Sequence, residues 1–213
     1  MKIYVPTMLA ILALVGLNVA SAAPLESRIG GEAWYDPDRD LTWLADADHV
    51  GGLFWSIAQS KISELNRQSY LGSTTWRLPT TTLPDPTCAN TANNGANCTG
   101  SEMGHLFYEV LGGVANTSVE IAHGSQFSNF KNVVAGSYWS GTENLAFPGP
   151  ISFSFLAGTQ DISNNYDTQY HSWLVMSGDI AAVPVPPQTP MLVIAMALVA
   201  RWRRRPIAKG RAA

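Results

Sequence analysis

Apolar residues follow three patterns along this chain, and each pattern predicts a different kind of element. Residues 8–17 and 191–200 are continuous apolar runs near the two ends; between them the apolar positions are spaced. Phe54, Ala58, Ile62 and Leu65 recur at intervals of four, four and three. That is one face of a helix over residues 54–65, with Ser56 as candidate cap and Asn66 and Gly72 ending it. Met103, Leu106, Phe107, Val110 and Leu111 predict a second helix. It begins near Thr99, where Thr99 and Glu102 have capping-box spacing, and stops at Gly112-Gly113. Residues 30–44 place aromatic and apolar side chains on either side of Asp36-Pro37-Asp38, the pattern of a hairpin or a pair of short strands. From Val119 onward the signals turn to strand: Tyr138-Trp139, then Ile151, Phe153 and Phe155 alternating with Ser152 and Ser154, then Trp173-Leu174-Val175. Residues 81–100, rich in Thr, Pro, Asn and Gly, read as loop. Two early helices and several late strands predict an α+β fold, without an internal repeat.

The two end runs carry targeting patterns. Lys2, the apolar run 8–17 and the small-residue signature Ala20-Ser21-Ala22 have the three-part form of a secretory signal, with cleavage expected after Ala22. A buried N-terminal helix is the competing reading. Export places both cysteines of the chain in an oxidising compartment. At the other end four prolines within residues 181–190 make a stiff extended linker, followed by the apolar run and by Arg201-Trp202-Arg203-Arg204-Arg205. This order, with Pro184 and Pro186 in Val183-Pro184-Val185-Pro186-Pro187 and the cluster Arg203, Arg204 and Arg205, resembles a degenerate PEP-CTERM sorting signal. Val185 stands where that family has glutamate. The resemblance implies an exosortase-type partner at the inner membrane. Ten helical residues reach about 15 Å against a hydrocarbon core of about 30 Å, a short anchor. The arginines hold its end in the cytoplasm; a vestigial tail is the alternative. The expected division is thus a signal peptide at 1–22, a globular domain at 23–183, and a linker, apolar segment and basic tail at 184–213.

Composition sharpens the picture of the middle segment. The chain of 213 residues is 46% apolar, with seven each of Trp, Tyr and Phe, enough for one packed interior. The formal charge of −3 hides a segregation, because Lys2 and six tail residues account for over half of the basic side chains. Residues 23–183 keep Arg28, Arg39, Lys61, Arg67, Arg77 and Lys131 against all sixteen acids, a net charge of −10. Such a field disfavours nucleic acid and sulfated glycans as partners.

Four ordered blocks carry a second resemblance. They are Leu41-Thr42-Trp43-Leu44-Ala45-Asp46-Ala47, Trp76-Arg77-Leu78-Pro79-Thr80, Gly100-Ser101-Glu102-Met103-Gly104-His105-Leu106-Phe107 and Tyr138-Trp139-Ser140-Gly141-Thr142-Glu143. In this order they are similar to the Lcl C-terminal domain family, over residues 34–179. The resemblance implies a C-type-lectin-like fold, with two helices packed on a curled antiparallel sheet with long loops. It brings no calcium-binding triplet of the lectin kind, and Met176-Ser177 replaces the family's closing Arg-Pro.

Cys88 and Cys98 enclose nine residues, and in an exported chain a disulfide is the first reading. A zinc site lacks a spaced fourth ligand. Asp36, Asp38 and Asp40 read either as the start of a calcium loop, without its glycine and glutamate, or as an acidic turn. The tryptophans read as sugar-stacking faces or as core, with at least four assigned to core. Asn164, Asn165, Tyr166, Asp167 and Tyr170 make a polar, aromatic loop suited to ligand recognition; a solvated connection is the alternative. Arg77 lies among apolar neighbours and is expected to pair with an acid, Glu102 first. No catalytic residue, metal or cofactor is assigned. The expected function is an exported, surface or inner-membrane-tethered binding or adhesion module for exopolysaccharide or an envelope protein. The alternatives are a structural matrix component, and an enzyme related to formylglycine-generating folds that uses Glu102, Glu143 and His105.

Overall fold

The structure, a computed structural model, describes residues 22–90, 94–144, 149–162 and 166–180. All of these lie in the unit that ends at Ile180. The leader before Ala22, loop residues Asn164 and Asn165, and the tail with Pro184, Pro186, Arg203, Arg204 and Arg205 lie outside the described residues.

In chain order the elements are β1 (Glu26–Arg28), β2 (Ala33–Asp36), β3 (Leu41–Leu44), β4 (Leu53–Phe54), α1 (Trp55–Arg67) and β5 (Gly95–Ala96). There follow α2 (Glu102–His105), β6 (Ser137–Asn144), β7 (Gly149–Ser154), β8 (Thr159–Ile162), β9 (Gln169–Tyr170) and β10 (Val175–Ser177). Strands pair in the orders β1-β2-β3-β10, β4-β9 and β5-β8-β7-β6, and every ladder between them is antiparallel. The fold is α+β, with two helices and antiparallel sheets.

All four side chains of β3 are buried, so this strand has no solvent face. A strand sends successive side chains to opposite sides, and the core divides accordingly. Leu41 and Trp43 enter one apolar cluster with Trp173, Val175, Met103 of α2 and Leu106 and Phe107 just after it. Leu44 enters the other with Ala33, Leu174, Met176 and the α1 residues Ala58 and Ile62. The two helices therefore serve opposite faces of the same sheet. The hairpin predicted over residues 30–44 is β2–β3, in the register Trp34↔Trp43 and Asp36↔Leu41.

Both helices differ from the sequence expectation at their starts. Helix α1 begins at Trp55, not Phe54, and neither Phe54 at the N-cap nor Ser56 caps it through a side chain. Its buried residues, Ala58 and Ile62, are from the predicted face. For α2 the N-cap is Ser101, not Thr99, and the Glu102 side chain turns to Arg77 instead of closing a capping box. After His105 the helix widens into a π turn over Leu106–Val110, where Leu111 N–H donates to the Leu106 carbonyl at 2.8 Å. All five residues of the predicted apolar face are buried. Past Val119 the first strand begins only at Ser137, and Trp173 and Leu174 precede β10 instead of lying in it.

Cys88 and Cys98 form the expected disulfide. Its loop presses directly on α2, because a β-carbon on Gly104 would lie 1.8 Å from the Cys98 carbonyl oxygen. Gly104→Ala is therefore expected to lower unfolding free energy by about 1–3 kcal/mol, the range for overpacking a closed contact. Gly52→Ala, where a β-carbon meets nothing within 4 Å, is the control. Urea denaturation of both variants checks the contrast.

Candidate functional site

The short pairing of β4 with β9 joins the start of α1 to the end of the predicted ligand loop, where Tyr170 lies in a strand, through Leu53↔Tyr170 and Phe54↔Gln169. Tryptophan indoles fix this corner. Trp139 donates from Nε1 to the Leu53 carbonyl at 2.7 Å, and its ring lies 4.5 Å from that of Tyr170. Trp55 donates to the Ser140 carbonyl at 2.8 Å and meets Tyr166 edge to face, with ring centres 6.1 Å apart.

Tyr166 is 43% exposed and donates its hydroxyl to the Glu143 carboxylate at 2.9 Å. That hydrogen bond, before any burial, raises the phenol pKa above its ordinary value. Glu143 and Asp167 are both exposed, and Phe54 and Ile57 at the start of α1 are exposed apolar side chains. No lysine or arginine occurs between Lys131 and Arg201, so β6 to β10 bring carboxylates and no fixed positive charge. The surface thus offers partly exposed aromatic faces beside carboxylate acceptors, a combination that stacks on apolar ring faces and accepts hydroxyl or ammonium protons.

Of the predicted ligand residues, Tyr166, Asp167 and Tyr170 fall at this corner. Trp55 was among the tryptophans read either as sugar-stacking faces or as core, and Ile57 was not singled out by sequence reasoning. The signal for Trp55 was its place at a helix start, where a side chain is only half covered; Ile57 is off the apolar face set by Ala58 and Ile62. Trp43, Trp76, Trp139 and Trp173 are buried, and Trp34 and Trp55 are half-buried.

The other polar clusters serve the frame. Arg77 forms a two-pronged pair with Glu102, each bond 2.8 Å, and Glu102 also accepts the Thr80 N–H at 2.7 Å. Asp85, fully buried beside the disulfide, accepts from the backbone N–H groups of Thr87 and Ser101. Each carboxylate of the acidic turn has a bonded partner. Asp36 accepts from the Asp38 N–H and lies 3.1 Å from His105 Nε2, Asp38 accepts the Ala23 N–H, and Asp40 accepts the Tyr35 hydroxyl. Among the described residues two groups bring three ligand-type atoms within 4.8 Å. One is Asp85 with the two disulfide-bonded cysteines; the other is Asp36, Asp38 and His105. The acids and histidine weighed for catalysis have separate partners: Glu102 holds Arg77, His105 holds Asp36 and Glu143 holds Tyr166.

Comparison with family models, with curated proteins and with solved structures gave no match for this chain. No helix among the described residues is long and apolar enough to cross a membrane.

The Arg77–Glu102 pair generates a direct test. Its side chains are 30% and 15% exposed, so solvent screens the arginine but leaves the carboxylate largely desolvated. Arg77→Ala is expected to cost about 2–3 kcal/mol of folding free energy, below the value for a fully buried pair. Arg77→Lys should recover only part of this, since one ammonium does not reproduce the two-pronged geometry. Chemical denaturation measures both, and an unchanged Arg77→Ala would remove the pair from the stabilising frame.

Proposed function

We propose that this protein is an exported binding module of the cell envelope that holds an extracellular polysaccharide on the surface made by Trp55, Tyr166, Tyr170 and Glu143. The observation that carries the reading is the aromatic and carboxylate corner itself: an exposed tyrosine hydrogen-bonded to an exposed glutamate, braced by a half-buried tryptophan. Pyranose rings have an apolar face and a hydroxyl rim, and this pairing suits both. The net charge of −10 over residues 23–183 favours neutral or amino-sugar polymers over sulfated ones. The disulfide accords with an oxidising compartment, as export requires.

The resemblance to the Lcl C-terminal domain family belongs to the same proposal. Its blocks supply buried frame residues, Trp43, Trp76 and Trp139, together with the Arg77–Glu102 pair. The C-type-lectin-like reading draws on the presence of the first and last strands in one sheet, β1-β2-β3-β10, and on a second antiparallel sheet, β5-β8-β7-β6. In this reading the frame is shared and the loops choose the ligand.

Glycan-array binding of the purified exported protein tests the ligand class. Tyr166→Ala and Glu143→Gln should each weaken binding about tenfold, equal to 1.4 kcal/mol, without lowering the melting temperature. Binding that survives both substitutions would place the ligand elsewhere on the protein.

The proposal extends to the tail. Its apolar run enters the bilayer and its arginines resist crossing, so the exported domain stays at the inner membrane until an exosortase-type enzyme acts. Cells expressing the full chain should retain it in the membrane fraction. A version ending at Val183 should appear in the soluble exported fraction, and equal solubility of the two would refute the anchor.

A further inference from the structure

Ala23, the residue expected to begin the exported chain, has a prepared acceptor. Its backbone nitrogen lies 2.7 Å from Asp38 Oδ2, the length of a charge-assisted bond even though the nitrogen here belongs to a neutral peptide. The contact spans fifteen positions of sequence, so it is a product of folding.

The nitrogen is held there from the other side. Leu25 is buried in the cluster that contains Trp43, and β1 pairs with β2 from Glu26↔Tyr35 to Arg28↔Ala33. Arg28 then clamps the strand by two bonds to Asp179, at 2.6 and 2.7 Å. The segment from Ala23 to Arg28 is thus pinned at both ends, and its first nitrogen has a fixed place.

The place lacks a fixed cation. Asp36, with no exposed surface, is bonded to the Asp38 N–H and to His105, and Asp38 is bonded to Ala23. Among the described residues no lysine or arginine is bonded to Asp36 or Asp38, and Arg39 in the same turn reaches away to the Thr99 carbonyl. Glu109 adds another carboxylate to a cleft of about 380 Å³ beside Ala22, Ala23 and Pro24. The paired carboxylates of Asp36 and Asp38 favour a positive charge at the Ala23 nitrogen bonded to Asp38.

We propose that hydrolysis of the Ala22–Ala23 bond creates that charge, and that the new α-ammonium of Ala23 pairs with Asp38 as a maturation-dependent ion pair locking the N-terminal strand. A peptidase of the export machinery adds water across the peptide bond. Ala22 leaves on the leader as a carboxylate, and Ala23 keeps the nitrogen as an ammonium. The precursor offers only a neutral N–H at this position, so the full interaction belongs to the processed protein. This inference rests on the secretory leader and is independent of any glycan ligand.

Three full-chain variants passed through the export route test it against the wild type: Asp38→Asn, a glycine inserted between Ala22 and Ala23, and both changes together. Intact mass and N-terminal sequencing of the exported wild type should begin at Ala23. Each single change should lower the melting temperature by about 2–4 °C, as expected for a contribution near 1 kcal/mol in a domain of this size. The double change should lower it no further, because both remove one interaction. A chain beginning at another residue, singles without effect, or losses that add would each overturn the proposal.

Discussion

Complete burial of β3 is the constraint from which the rest of the domain follows. A strand with solvent on one side needs one apolar partner layer; Leu41–Leu44 has none of its four side chains exposed and needs two. The chain supplies them from different regions, α1 for the face of Leu44 and α2 with its π turn for the face of Trp43. Strand β10 and the two residues before it repeat the division: Trp173 and Val175 join one cluster, Leu174 and Met176 the other. Placing the last strand beside β3 also brings Asp179 within reach of Arg28, so the same arrangement ties down the first strand.

Large aromatic side chains fill these two cores, and their polar edges decide where loops are attached. A buried indole N–H needs an acceptor. Trp76 finds the Tyr70 carbonyl, Trp139 the Leu53 carbonyl and Trp173 the Leu44 carbonyl. Each bond stitches a connection to the frame. The Trp34 and Trp43 indole nitrogens are without a partner among the described residues, and there apolar packing alone holds the ring.

Much of this was legible in the sequence where periodicity was strong. The apolar spacing from Met103 to Leu111 is helical, and every one of those residues is buried. Two cysteines in a chain expected to be exported pointed to their bond, and the apolar setting of Arg77 pointed to Glu102. Helix starts were misread because the capping-box pattern at Thr99 and Glu102 competed with a stronger tertiary partner: the Glu102 carboxylate gains two bonds from a guanidinium and one from Thr80, more than a cap returns. Trp173 and Leu174 looked like strand because both are buried, yet burial on opposite faces does not require a ladder partner.

The candidate site was the least legible part, for a physical reason. Its members come from three separated places, the start of α1, the end of β6 and the residues before β9, and no local period connects Trp55, Glu143 and Tyr166. What joins them is the short β4–β9 ladder and the Trp139 bond to Leu53, both products of the folded frame. The frame residues can be read from sequence because burial imposes a repeat; the surface they position carries no repeat, and its chemistry becomes visible only as contacts. The same holds at the opposite end of the sheet's history, where Ala23 and Asp38 are ordinary surface residues in sequence and neighbours only after β1 has paired with β2.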